Sequence, residues 1–184
     1  GLGNIAPAQG DYYQMVKGGG HGDYFPIVLA PASVQEAINI MGVAFDLADK
    51  YRAVVHMIVD GNMGQMLDPA ELPPMRELPK EPPKWAVTGA KGRKPNFLSS
   101  IYIDPVEQEV TNLRLLKRWL EIEKNEVRFA ESNLEDAEIA VIGFGTSGRV
   151  ASSAIRIARE EGIKVGLLRP ITLAPFPEKR LEEI

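Results

Sequence analysis

The chain has 184 residues, with 21 Lys or Arg against 25 Asp or Glu for a net charge of −4, and 45% of it is hydrophobic. That is the make-up of an ordered globular protein, and it excludes a disordered chain. The longest apolar runs, Ile27 to Ala30 and Ala53 to Val59, fall far short of the roughly 18 residues of a membrane span, and no charged-then-apolar leader opens the chain. A cytoplasmic protein with no membrane partner is therefore expected. With an acidic balance and no Lys/Arg-rich block, nucleic acid is not the expected partner either, because phosphate neutralisation needs clustered basic side chains. There is no Cys, so the chain carries no disulfide, no thiolate-bound iron–sulfur cluster and no Cys nucleophile. Any redox centre belongs to a partner.

Gly1 to Asn4 reads as a loop entered from a preceding element, so the chain is expected to begin mid-protein. Ala8 to Lys17 has the make-up of a short helix, which the glycines of Gly18-Gly19-Gly20-His21-Gly22-Asp23 must end. Phe25 to Ala30 is a continuous apolar run closed by Pro31, the pattern of a strand buried on both faces. Ser33 followed by Glu36 is a capping box. Behind it Val34, Ala37, Ile38, Met41, Ala44, Phe45 and Ala48 form one helical stripe. Ala53 to Val59 is a second buried-strand pattern ending at Asp60-Gly61. Strand, long helix and strand make a right-handed βαβ unit with a parallel sheet, and so an α/β fold.

Seven prolines lie between Pro69 and Pro95 without apolar periodicity, which predicts an extended connection laid on a neighbouring surface. Asp104-Pro105 with Glu107 restarts a helix, Asp as N-cap and Pro at the first helical position. It is expected to run to about Ala130, with Val106, Val110, Leu113, Leu120 and Val127 on one side and the charged run Arg114 to Arg128 as a solvated face. Glu138 to Ile142, Ser147 to Glu161 and Lys164 to Leu168 read as a second βαβ unit. Pro177 to Ile184 begins a helix. Two strands are too few for an independent sheet, so this last unit is expected to be truncated.

Gly143-Phe144-Gly145-Thr146-Ser147-Gly148 matches G-x-G-x-x-G at a strand-to-helix turn, the setting of a dinucleotide pyrophosphate. The acidic residue that should hold the ribose about 20 residues on is absent; the strand ends Leu168-Arg169-Pro170. A Rossmann-like nucleotide site over Gly143 to Gly148 and a tight packing turn both remain open. His21, between two glycines and followed by Asp23, is the strongest candidate for chemistry, because a loop imidazole among glycines has little packing role; a turn histidine bonded to its own loop is the alternative. His56, inside a strand pattern, reads as a core histidine. Asp60, one residue past a strand, is placed either as a cofactor or catalytic group at a strand end or as the N-cap of a short helix through Met66. Two histidines 35 positions apart with no carboxylate at ligand spacing predict no metal site.

Gly1-Leu2-Gly3-Asn4, the glycine loop through Tyr24, Ile27-Val28-Leu29-Ala30-Pro31, Ala44 to Tyr51 and Gly64-Gln65-Met66 closely resemble the pyrimidine-domain subunit of the 2-oxoacid:ferredoxin oxidoreductases, most nearly the 2-ketoisovalerate (3-methyl-2-oxobutanoate) type. Ala140 to Gly148 and Leu168 to Leu173 resemble the transketolase C-terminal-type domain that follows in that subunit. The resemblance runs through nearly the whole chain in order. It implies a parallel-sheet thiamine-diphosphate pyrimidine-type domain over residues 1–100, with its Pro-rich connection at 68–100, a bridging helix at 101–136 and a truncated transketolase C-terminal-like βαβ region at 137–184.

The family activity it implies is oxidative decarboxylation of a 2-oxoacid to an acyl-CoA, with thiamine diphosphate as cofactor, coenzyme A as co-substrate and electrons passed to ferredoxin. The thiamine diphosphate is shared with a diphosphate-binding subunit, and Mg2+ and the iron–sulfur clusters belong to that and a ferredoxin-like subunit. His21 is then the expected catalytic residue, and Gly3, Asn4, Asp23 and Asp60 the expected cofactor-side residues. The acid that activates the aminopyrimidine and an arginine near the substrate carboxylate belong to a segment ahead of Gly1, so the isolated chain is expected to be inactive. A nucleotide-binding module and a non-catalytic assembly subunit are the rival readings.

Overall fold

The computed structural model describes residues 10–18, 20, 24–77 and 80–184. Helix α1 (Tyr12–Val16) precedes strand β1 (Ile27–Leu29), helix α2 (Val34–Tyr51), strand β2 (Val55–Met57) and the one-turn helix α3 (Gly61–Gly64). The α2 start follows the capping box: Ser33 is extended and its hydroxyl accepts from Glu36 N, while Glu36 accepts from Ala32 N at 2.6 Å. Arg52 ends the helix in the left-handed region at φ 48°. β1 and β2 pair in parallel, in register Val28 with His56, so the first βαβ unit is present as read. β1 is fully buried. β2, however, is the edge of its sheet and half-exposed, because only one neighbour covers a run that the sequence presents as continuously apolar.

Among the described residues no helix or strand lies between α3 and helix α4 (Pro105–Asn125). The Pro-rich stretch is pinned to the body by Gln35, whose side-chain amide exchanges two hydrogen bonds with the Glu71 backbone at 2.7 and 3.0 Å, and by an Arg76–Asp46 ion pair at 2.6 Å. α4 starts as expected, with the Asp104 carboxylate accepting from Val106 N, but it ends at Asn125. Phe129–Ser132 is strand β3, not the end of the helix. The stripe read as its packing face is exposed at Val106, Val110, Leu113 and Leu120; α4 instead buries Ile122 and stacks Trp119 on Phe25 with ring centroids 5.4 Å apart.

Strand β4 (Ile139–Ile142), helix α5 (Gly145–Glu160) and strand β5 (Val165–Pro170) form the second βαβ unit, β4 and β5 running parallel. β3 adds antiparallel to β5 and gives this sheet its third strand. After Ile171 the chain enters strand β6 (Thr172–Ala174), which leaves this sheet and pairs antiparallel with β1 of the other. A short helix, α6 (Glu178–Glu183), follows. Each sheet thus has one parallel and one antiparallel pair, ordered β2-β1-β6 and β3-β5-β4. Ile27 and Leu29 face α2 through Ile40, Leu47 and Tyr51, whereas Val28 and Ala30 share the opposite face with Leu173 and the α1 side chains. Ile155 of α5 packs on Val165 and Leu167. No helix among the described residues is long and apolar enough to cross a membrane.

Candidate functional site

Two places gather polar groups around the first sheet. At the C-terminal edge of β1 and β2, Asp60 precedes α3 and its Oδ1 accepts from Met63 N at 2.9 Å, the N-cap role read from the sequence. The same carboxylate also bonds the hydroxyl and N–H of Thr146. α5 has no side-chain cap of its own, Phe144 standing at that position, so Asp60 caps α5 from another unit. Burial pushes the Asp60 carboxyl up, but bonds from Thr146, Met63 and Asn62 outweigh it and hold the carboxyl below the usual aspartate value.

The Gly143 to Gly148 turn that meets Asp60 is tight. Gly145 sits at φ +56°, and a Cβ on Gly148 would lie 2.7 Å from Gly143 O and 2.9 Å from Arg169 Cδ. Arg169 is itself held, donating from both terminal nitrogens to Glu36 at 2.9 Å each. The glycines therefore admit close helix–strand packing; Arg169, which packs on the turn, is paired with α2, and Arg149, next to Gly148, lies 3.5 Å from Asp68. Beside it an open cleft of about 670 Å³ runs between Ser33 and Glu36 of α2, Ser132 of β3 and Ser152 of α5.

At the opposite, N-terminal edge of β1, a cleft of about 240 Å³ is lined by Gln14, Met15, Gly18, Gly20, Tyr24, Pro26 and His56. It lies below the roughly 300–1,000 Å³ of a whole ligand pocket and has room for one end of an extended molecule. His56 is half-buried at this cleft rather than enclosed in the core. Gly3, Asn4, His21 and Asp23 lie outside the described residues. The described flanks of His21, Gly20 and Tyr24, line this cleft, a strand's length from Asp60. The structure thus sets Asp60 and the described flanks, Gly20 and Tyr24, at opposite ends of β1. Among the described residues no group of three or more His, Asp or Glu is placed to hold a metal ion.

A model of the pyruvate flavodoxin/ferredoxin oxidoreductase, thiamine diphosphate-binding family matches residues 2–133. The chain belongs to that family. A separate family model, the pyruvate:ferredoxin oxidoreductase core domain II, matches residues 137–184. The ketoisovalerate oxidoreductase subunit VorB of Methanothermobacter marburgensis is 50% identical over 184 residues, all of this chain and 52% of that protein. The 2-oxoglutarate synthase subunit KorA of Methanocaldococcus jannaschii is 32% identical over 201 residues, 96% of this chain and 54% of that one. The chain spans about half the length of these relatives. A solved 2-oxoglutarate:ferredoxin oxidoreductase from Magnetococcus marinus, with 2-oxoglutarate, coenzyme A and succinyl-CoA bound, superposes with a TM-score of 0.74 at 19% identity over 97% of this chain and 36% of that one. The α/β fold is shared with it.

The sequence leaves unread a buried carboxylate at the far end of α2. Glu126, 5% exposed, accepts from Lys50 Nζ, Tyr51 Oη and Arg128 Nη2, each at 2.7 Å. It falls in the charged run expected to be a solvated helix face. The signal for it was the end of the helix at Asn125, three residues before Arg128, which periodicity did not give.

Proposed function

We propose that this chain is part of a subunit of a thiamine-diphosphate-dependent 2-oxoacid:ferredoxin oxidoreductase that decarboxylates a branched-chain 2-oxoacid, ketoisovalerate, to its acyl-CoA and passes the electrons to ferredoxin. The observation that carries it is the 50% identity to the ketoisovalerate oxidoreductase subunit across every residue of the chain, against 32% to the 2-oxoglutarate synthase subunit. Thiamine diphosphate, when bound, supplies the carbanion that attacks the oxo carbon and the electron sink for loss of CO2.

The small cleft at the N-terminal edge of β1 suits one end of such a cofactor: Met15, Tyr24 and Pro26 give apolar walls and Gln14 gives a polar group. That division suits a heteroaromatic ring held at its edge by hydrogen bonds. In this reading His21 donates to the oxygen on which charge develops and Gly3, Asn4 and Asp23 line the cofactor, while Asp60 acts as the cap of α3 and α5 at the other end of β1. The diphosphate, Mg2+ and iron–sulfur clusters reside on the diphosphate-binding and ferredoxin-like subunits, in the cytoplasm; a chain without Cys supports that division of labour. The pyrimidine-type domain takes residues 1–100, the bridging segment 101–136 and the transketolase C-terminal-like region 137–184.

The test is reduction of a viologen dye by the subunit that carries these residues, assembled with its partners and supplied with thiamine diphosphate, Mg2+ and coenzyme A. Turnover is expected to be fastest with 3-methyl-2-oxobutanoate. Equal or faster turnover with 2-oxoglutarate overturns the substrate class, and turnover that survives removal of thiamine diphosphate overturns the reaction.

A further inference from the structure

We infer that Arg52, Arg114 and Arg118 form a binding site for the phosphoryl group of a small anionic ligand. Seven arginines of the chain, Arg128 and Arg169 among them, are each neutralised by a carboxylate. Among the described residues Arg52, Arg114 and Arg118 have no such partner, and the three meet where the end of α2 packs on α4. Arg118 donates from Nη1 to the carbonyls of Arg52 at 2.7 Å and Tyr51 at 3.4 Å. Arg114 stands one turn earlier on the same helix. The Arg52 guanidinium carbon lies 5.2 Å from the ring centroid of Trp85.

Two of these guanidiniums are held without being neutralised. Carbonyls fix Arg118 and an indole face fixes Arg52, and both are neutral partners that leave the positive charge in place. Burial first, and then the charges of Arg114 and Arg52, push the Arg118 guanidinium below its ordinary value, the effect of like charges gathered without a counter-ion. Arg118 also closes the carbonyl end of α2, a packing role that accounts for one guanidinium and not for the other two. The backbone at Arg52 gives a separate sign. At φ 48° it occupies the left-handed region, where helices usually end on glycine because a Cβ is disfavoured there. This chain places an arginine there instead and lays its guanidinium over Trp85.

Charge selects the ligand. A carboxylate offsets one of the three cations, whereas a phosphoryl group carries about two negative charges at neutral pH and presents several oxygens to the planar guanidinium fork. Arg52 and Arg114 are exposed and Arg118 is half-buried, so such a group can reach all three from solvent. None of the three lines the small cleft at β1, and phosphoryl binding here is independent of the reaction proposed above.

The test is calorimetric titration of the full-length subunit with inorganic pyrophosphate, at low salt and without Mg2+. Binding is expected with a Kd below about 1 mM, weakening as salt rises. Arg114 is exposed, so Arg114→Gln is expected to weaken binding at least about tenfold with an unchanged melting temperature. Arg52→Gly is expected to weaken it as much while melting no lower than the unaltered subunit, because glycine suits a positive φ; an arginine kept for packing alone would not separate the two readouts. Lys91→Gln/Lys94→Gln, which removes two exposed cations elsewhere on the chain, is expected to leave binding as it is and controls for overall charge. ADP is titrated in parallel: tighter binding than pyrophosphate identifies a nucleotide as the ligand, and equal or weaker binding a free phosphoryl anion. No binding heat at millimolar pyrophosphate, arginine variants that bind as tightly as the original, or a lysine control that weakens binding as much as they do would each overturn the site.

Discussion

Arg169, near the end of β5, grips Glu36, in the first turn of α2, through two hydrogen bonds of 2.9 Å. Planar guanidinium meets planar carboxylate, the geometry in which such a pair gains most, and both side chains are largely covered, at 15% and 22% exposure. Because Glu36 also accepts from Ala32 N, one carboxylate ties the capping box of the first unit to the strand of the second. Arg169→Met keeps the stem over Gly148 and removes the charge, leaving Glu36 under-partnered. A loss of about 1–3 kcal/mol is expected, read as a lower urea midpoint with an unchanged slope.

The same pair decides the behaviour of the glycine-rich turn toward nucleotides. A 2′-phosphate would have to displace Glu36 from Arg169, and the end of β5, Leu168-Arg169-Pro170, carries no acidic residue to hold a ribose. NAD(H) and NADP(H) are expected to give no binding heat in calorimetry at micromolar concentrations. Low-micromolar binding that Gly145→Val abolishes would restore the dinucleotide reading.

The two βαβ units were legible because β1, α2 and α5 carry strong, unbroken patterns, and for α2 the Ser33–Glu36 box and the 3.6-residue stripe behind it needed no tertiary knowledge. β3 and β6 were not. Phe129 to Ser132 has two apolar residues followed by Glu131 and Ser132, and it abuts a long helical pattern with no breaker before it; only its ladder with β5 makes it a strand. β6 follows β5 with a single residue between them, so one apolar run serves two sheets and sequence alone cannot place the break. The α4 stripe misled for the opposite reason. Periodicity finds an apolar face whether or not the chain itself covers it, and here Ile122 and Trp119 pack while Val106 and Val110 stay outside. At the candidate site, the cap role of Asp60 was readable from Asp60-Gly61 and Met63, but its bond to Thr146 joins residues 86 positions apart and left no local mark.

Asp60 gives the fold a measurable acid dependence. Its carboxyl is held below the ordinary value of about 3.9, so the ionised form is favoured by folding. The stabilisation is complete above the unfolded-state value and is lost as pH falls through the lower folded one. Thermal melts between neutral pH and pH 3 are expected to show a steeper acid decline for the unaltered chain than for Asp60→Asn. At pH 7 Asp60→Ala is expected to cost about 1–2 kcal/mol, the value of a lost helix cap.

Glu126 is the second such group, and it acts at the junction of α2, α4 and β3. Burial raises its carboxyl, but the bonds from Lys50 and Tyr51 and the charges of Lys50 and Arg128 prevail and lower it, while Lys50 is raised chiefly by its bond to Glu126. Glu126→Ala leaves the buried Tyr51 hydroxyl without an acceptor at a cost of about 1–3 kcal/mol. Glu126→Gln, whose amide oxygen still accepts from Tyr51, is expected to recover part of that loss in the same melts.

The histidines separate chemistry from packing in the assembled enzyme. His21 stands between glycines on the loop whose flanks, Gly20 and Tyr24, line the small cleft, and the proposed role is donation to the oxygen that gains charge. One such donor is worth roughly 10² to 10³ in rate when the site is fully preorganised, and at least about tenfold as a general acid. His21→Ala is expected to lower turnover by that tenfold or more while the subunits still assemble, because a loop side chain among glycines buries little apolar area. His56 lies in the β1–β2 ladder opposite Val28 and forms part of the cleft wall, so His56→Ala is expected to lower the melting temperature with a modest change in turnover. The two variants are compared in the reconstituted complex by viologen reduction and by gel filtration. Full turnover in His21→Ala would make the loop histidine structural and remove it from the proposed chemistry.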